Sequence, residues 1–165
     1  MNIRKHTDLL VIHCSATQAK QDIGLKEITE WHVLPSPRGH GWAAVGYHFI
    51  IRRSGAVEHG RAVNLVGAHV ERYNHNSIGI CLVGGIDAHA HPENNFTPDQ
   101  FAALSGLLKQ LRQDYPRTRI VGHRDLSPDK NGDGIIEPGE WLKACPSFDV
   151  AAWLALVGIS QSGVA

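Results

Sequence analysis

The chain is short of the features that mark several protein classes. Its 165 residues include one methionine, three cysteines and few aromatics, and 16 Lys and Arg balance 16 Asp and Glu. Without net charge there is no overall basic field to draw in nucleic acid or an anionic membrane surface. The cysteines, Cys14, Cys81 and Cys145, are odd in number, which argues against a disulfide framework. The apolar run at residues 9–12 is too short for the core of a signal peptide, and nothing approaches the roughly 18 residues of a membrane span. Repeats, low-complexity blocks and linkers are missing too. These absences predict one domain, a monomer without membrane insertion, made in the cytoplasm without an export signal and long enough to bury a core.

What the chain does have is histidine, eleven of them, and an alternation of strand and helix patterns. DLLVIHCS and IGICLVGG read as strands buried on both faces, and RIVGHRD as a last short one. VGYHFIIRR alternates, setting Tyr47, Phe49 and Ile51 against His48, Ile50 and Arg52, and SGA turns the chain into VEHGR. LKEITEWHVL predicts a helix that buries Leu25, Ile28 and Trp31. TPDQFAALSGLLKQLRQDY predicts the clearest helix: Thr97 and Gln100 spell a capping box, and Pro98 takes the first helical position. Its buried stripe is Phe101, Leu104, Leu108, Leu111 and Tyr115. FDVAAWLALVG closes the domain. The fold class is therefore α/β, a single domain with a central mixed β-sheet flanked by helices. It occupies residues 1–158, and 159–165 are expected to fray.

His13 and His123 each end a predicted strand, where α/β sheets place their ligand sites. Cys145 follows in a loop segment beside Pro146. Two imidazoles and a thiolate suit zinc and leave a fourth position open. On residue types alone, however, the commoner fate of such residues is the core.

Resemblance changes that balance. VIHCSAT, VGYHFII, NHNSIGICLVGG and KACPSFD, in this order, resemble the zinc-dependent N-acetylmuramoyl-L-alanine amidases of small phage lysozymes, a family related to peptidoglycan recognition proteins. The likeness runs from about Asp8 to Val150. It implies that His13, His123 and Cys145 hold zinc, that Tyr47 and Lys143 act in catalysis, and that His69 lies near the substrate groove. The implied substrate is peptidoglycan, cut between N-acetylmuramic acid and L-alanine, by an endolysin that waits in the host cytoplasm until lysis. Those roles are chemically sound. Lys143 and Cys145 are two apart and share a face in an extended segment, and a cation beside a metal stabilises an oxyanion. Tyr47 can orient water or donate a hydrogen bond. Trp42 can line the groove. His48 reads as structural, His75 as a loop organiser, and Cys14 as facing away from the metal.

Two stretches depart from that pattern: the loop PSPRGHG, residues 35–41, expected to alter the rim of the substrate groove, and a longer one. DKNGDGIIEPGE, residues 129–140, fits the EF-hand spelling D-x-[DN]-x-[DN]-G-x5-E through Asp129, Asn131, Asp133, Gly134 and Glu140. Ile135 would add a carbonyl and Glu137 a water-mediated contact, which makes calcium a second expected cofactor. Flanking helices are not predicted, so the stretch reads as a structural staple. The alternatives to an endolysin are a non-catalytic peptidoglycan-binding module, a regulator that binds a partner protein, and a cytoplasmic muropeptide-recycling amidase. The first class loses the cysteine ligand, which is present here.

Overall fold

The computed structural model describes residues 1–163. A five-stranded sheet runs through its middle in the order β4-β3-β5-β1-β7, formed by Val57–His59, Phe49–Ile51, Ser77–Leu82, Leu9–Cys14 and Arg119–Gly122. β4 is antiparallel to β3, and the other neighbours are parallel, so the sheet is mixed. Two short strands, β2 (Thr17–Gln18) and β6 (Gly85–Ile86), pair in parallel beyond it. Three helices complete the fold: α1 (Leu25–Val33), α2 (Pro98–Asp114) and α3 (Val150–Leu156).

The continuous apolar runs are explained by burial on both faces. In β1, Leu10, Ile12 and Cys14 join the large core with Leu104, Leu108 and Leu111 of α2 and Val150 and Leu154 of α3. Val11 faces the other way, against Val70 and Val121. His13 follows Val11 by two and shares its face. Each fully buried aliphatic side chain contributes roughly 1.5–3 kcal/mol. The face of His13 is covered by α1 and by the loops around residues 65–76, not by α2.

α2 starts as its spelling predicts. Thr97 Oγ1 accepts from Gln100 N–H at 3.1 Å, and Gln100 Oε1 accepts from Thr97 N–H at 3.1 Å. Gln100 does more than cap, because its amide also donates to the carbonyls of Ile51 and Val83, tying the helix to the ends of β3 and β5. The buried set is Gln100, Leu104, Leu107, Leu108 and Leu111, with Phe101 and Tyr115 packed at its margin.

Three local expectations change. In α1 the buried pair is Ile28 and His32, four apart, and Trp31 is 39% exposed. The apolar spacing was shared by two faces, and His32 took the inner one because its Nδ1 accepts the Gly46 N–H at 2.9 Å. Regular strand begins only at Phe49, so Tyr47 packs with Ile50 and not with Phe49 and Ile51. The end of the chain is held where fraying was expected: Ile120 N–H donates to the Gln161 carbonyl, and Arg112 donates to the carbonyls of Ser160, Gln161 and Ser162. Residues 164–165 of that predicted tail lie outside the described residues. No described helix is long and apolar enough to cross a membrane.

Candidate metal centre

β1 and β7 end side by side, with Ile12 opposite Gly122. That register brings His13, the next residue of β1, beside His123, which opens a short 3-10 turn directly after β7. Their rings are 4.7 Å apart, centroid to centroid. Cys145 arrives from the far side of the 129–140 loop. Its Sγ accepts the Cys14 backbone N–H at 3.2 Å and lies 3.8 Å from His13 Nδ1. Its carbonyl accepts the Arg124 N–H at 2.8 Å, so the segments carrying the second and third donors are joined by backbone. One ligand atom from each of His13, His123 and Cys145 lies within 4.8 Å of the others, and this is the sole such convergence of His, Cys, Asp or Glu among the described residues. The sequence-predicted triad is assembled.

Its electrostatics suit a metal. Burial, followed by the charges of His69, His123 and Lys143, holds His13 well below its ordinary pKa. Burial and then Lys143 bring His123 to about 4. Both imidazoles are thus neutral near pH 7, the form that donates a lone pair. Contact with the Cys14 thiol, then burial, pushes the Cys145 thiol up. A bound cation reverses that preference, since a coordinating thiol is deprotonated outright. Two neutral imidazoles and a thiol that only a cation would ionise fit a zinc-type ion.

His123 and Cys145 line a groove of about 970 Å³, with His13 buried beneath them, and the lining also includes Trp31, Trp42, Tyr47, Lys143 and Ile86. The Tyr47 ring is 5.2 Å from that of His13, and burial raises its phenol pKa well above the ordinary value. It is therefore a donor throughout the working range. Lys143 is exposed, and its charge is felt at both histidines. Trp42 is 37% exposed and stacked on His40 at 4.7 Å, with His32 behind it at 4.8 Å.

Other predicted residues land elsewhere. His69 also borders the groove, but it is only 9% exposed and sits behind His13, with its Nδ1 3.0 Å from His13 Nε2. Cys14 does not simply turn away. Its Sγ lies 3.9 Å from Ser147 Oγ, beside Cys145. A strand neighbour of His13 must face the other side, yet the Cys145 segment wraps round the strand end and meets both. His48 is structural as expected, with Nδ1 accepting the Gly79 N–H at 2.9 Å. The loop before β5 is ordered by Asn74, whose Oδ1 accepts the N–H groups of His69 and Val70, rather than by the exposed His75.

The EF-hand-like loop has its own arrangement. Asp129 accepts from the N–H groups of Gly132 and Gly134, and Asp133 from that of Ile135. Asn131 Oδ1 accepts from Asp133 N–H. Gly134 has φ of +84°, which suits glycine at the sharp turn of such a loop. Glu140 is buried and accepts from Lys130, Asn131 and Glu137 N–H. Glu137 and Ile135 are exposed. The carboxylates are turned onto backbone N–H groups and do not converge as the zinc-type triad does. Helices do not flank the loop; a short 3-10 turn at His123–Leu126 precedes it, and another, Pro138–Glu140, forms its last residues.

The sequence profile of the N-acetylmuramoyl-L-alanine amidases matches residues 4–140. The chain belongs to that family. It is by membership an amide hydrolase of the N-acetylmuramoyl-L-alanine amidase class. The endolysin of Enterobacteria phage K11 is 48% identical over 151 residues, covering 92% of this chain and 87% of the relative. The endolysin of Escherichia phage T7 is 44% identical over 150 residues, covering 91% and 87%. Among solved structures, the N-acetylmuramoyl-L-alanine amidase LysC from Clostridium intestinale shares the fold with a TM-score of 0.69, at 24% identity over 94% of this chain and 87% of that one. Lys143 and Cys145 lie past the span matched by the family profile, and what brings them beside His13 and His123 is the geometry described above.

Proposed function

We propose that this protein is a phage-type endolysin, a zinc hydrolase that cuts the amide between the lactyl group of N-acetylmuramic acid and L-alanine in peptidoglycan. The observation that carries this reading is the meeting of His13, His123 and Cys145 at the base of an open groove that His123 and Cys145 line, in a chain of the amidase family. Zinc held by those three donors would supply Lewis acidity for the carbonyl and an acidified water. The rest is the work of the chain. Lys143, at the rim beside the cysteine, offsets the negative charge that develops on the carbonyl oxygen. Tyr47, neutral and adjacent to His13, donates a hydrogen bond to the same oxygen or orients the water. Trp42 and its stacked His40 give the groove an apolar wall for sugar or stem peptide.

Mass spectrometry of digested peptidoglycan tests this. Free L-alanine N-termini with intact glycan strands are expected. New reducing ends, cuts within the stem peptide, or wall binding without products would each overturn the reading.

Two finer points belong here. All three donors come from one chain, which supports a monomeric enzyme; the host cytoplasm before lysis and the wall afterwards are the places proposed for it. The 129–140 loop is taken as a calcium staple, through Asp129, Asn131, Asp133, Ile135, Glu137 and Glu140. Support comes from the spelling and from four side chains, Asp129, Asn131, Asp133 and Glu140, already turned onto the backbone of their own loop. At a hundredfold excess over its dissociation constant, calcium would then stabilise the fold by about 2.7 kcal/mol. Thermal melting of zinc-loaded protein with and without added calcium decides this, and identical melts would remove calcium from the account.

A further inference from the structure

His13 has two ring nitrogens, and a metal uses one. Nδ1 faces Cys145 Sγ. Nε2 points the other way, 3.0 Å from Nδ1 of His69. Behind it the contacts continue: His69 Nε2 is 3.3 Å from Ser77 Oγ, and Ser77 Oγ donates to the Tyr73 carbonyl at 2.6 Å. His13, His69 and Ser77 are all buried, so none of these groups can exchange its partner for bulk water.

The chain of contacts has one direction. A backbone carbonyl carries no proton, so Ser77 must donate to Tyr73 and accept from His69 Nε2–H. A neutral imidazole has one donor and one acceptor, so His69 Nδ1 accepts from His13 Nε2–H. His13 Nδ1 is then left with a free lone pair, on the side of Cys145.

The fold makes room for this. Gly79 lies within β5, where no turn calls for glycine. A Cβ there would come 2.5 Å from His69 Cγ, and one on Gly67 would strike the same ring. The His69 backbone is fixed as well, because Asn74 Oδ1 accepts its N–H at 2.8 Å.

We propose that His69 and Ser77 are positioning residues that lock His13 in its Nε2–H tautomer and so hold the Nδ1 lone pair toward the metal. The proposal rests on the zinc reading of His13, His123 and Cys145. It gives His69 a task distinct from touching substrate. Outer partners of metal-bound histidines are usually carboxylates or carbonyls, and their loss typically costs 10- to 100-fold in metal affinity. Here a second histidine and a serine relay the carbonyl.

Two measurements test it. Long-range 1H–15N correlation spectra of zinc-loaded wild-type protein should show both His13 and His69 protonated at Nε2 alone. A proton on His13 Nδ1, or a doubly protonated His69, would overturn the proposal. Zinc competition against a chromophoric chelator should then show His69→Leu weakened about 10- to 100-fold. His69→Gln, which keeps an acceptor, should lose less, and Ser77→Ala should fall between wild type and His69→Leu. Unchanged zinc affinity in His69→Leu, with weaker wall binding instead, would return His69 to a substrate role. Should His69→Leu fail to fold, the wild-type spectra and the Ser77→Ala affinity decide alone. A wild-type protein that takes up no zinc would sink the zinc reading itself, and the proposal with it.

Discussion

The candidate metal centre is built from two unlike halves. His13 stands on an interior strand of the sheet, paired in parallel on both sides, and behind it His69 and His48 are buried and hydrogen-bonded. Cys145 and Lys143 come from a segment, 127–145, whose regular structure is one 3-10 turn. That segment is held by side chains on backbone: Asp129 on Gly132 and Gly134, Glu140 on Lys130, Asn131 and Glu137, and Ser127 Oγ on Leu142 N–H. It rejoins the sheet through Cys14 N–H to Cys145 Sγ and Arg124 N–H to the Cys145 carbonyl. Arg124 also lies over the Trp141 ring at 4.2 Å and pairs with Asp149 at 3.5 Å. One half is fixed by packing that extends through the core. The other is fixed by a few polar contacts at the surface, so a bound ion is the condition it should answer to.

The largest effects should come from removing a donor from either half. Cys145→Ser and His123→Ala should each abolish lysis and lower bound zinc, because a three-donor site tolerates little loss. Full activity in protein shown by elemental analysis to be zinc-free would reject the assignment. Lys143→Ala should be milder and of a different kind, with zinc content and wall binding kept and the rate down by about 10²-fold, as for lost oxyanion stabilisation. An unchanged rate would demote Lys143 to a surface residue.

Acid should act on the sheet half first. Burial brings His48 and His32 to about 4. Each accepts a backbone N–H on Nδ1, from Gly79 and Gly46, so protonation would set two N–H groups against each other. The folded pKa lies below the unfolded value of about 6.5. The unfolded chain therefore binds more protons in that window, and stability present above about pH 6.5 is lost as pH falls toward 4. The loss is on the order of 3 kcal/mol for each such histidine. Melting temperature should fall steadily from pH 7 to 4.5, and His48→Gln, which can still accept the Gly79 N–H, should flatten the slope by up to one proton. A melting temperature indifferent to pH across that range would mean these rings are solvated.

The two halves also differed in how legible they were. Periodicity and capping located β1, β5, β7, α2 and α3, because burial on both faces and the Thr97–Gln100 box are local signals. The strand ends then pointed to His13 and His123. Cys145 was named by residue type, and only family likeness raised it above the core reading, since a residue delivered by an irregular loop leaves no period to read. The same blindness hid Cys14 beside Cys145 and the inward turn of His32. Ser77 and Gly79 look like ordinary strand residues until the His69 ring is seen against them. Their roles depend on contacts across the sheet, and no single-strand pattern encodes those.

The smallest effect should come from the loop half, and it needs a two-way comparison. Glu140 is held below its ordinary pKa by the N–H groups of Glu137, Lys130 and Asn131. Glu140→Ala therefore strips acceptors from three backbone donors whether or not a cation binds, and some fall in melting temperature is expected even without calcium. The fall alone says nothing about a metal. Calcium adds a second signature, because loss of a bidentate position-12 ligand removes the response to the ion. Wild type should melt several degrees higher with calcium, and Glu140→Ala should melt at one temperature with or without it. A fall of equal size in both conditions, with wild type indifferent to calcium, would leave Glu140 as a purely internal clasp. The polar loop would then hold Cys145 in place by its own hydrogen bonds, without help from an ion.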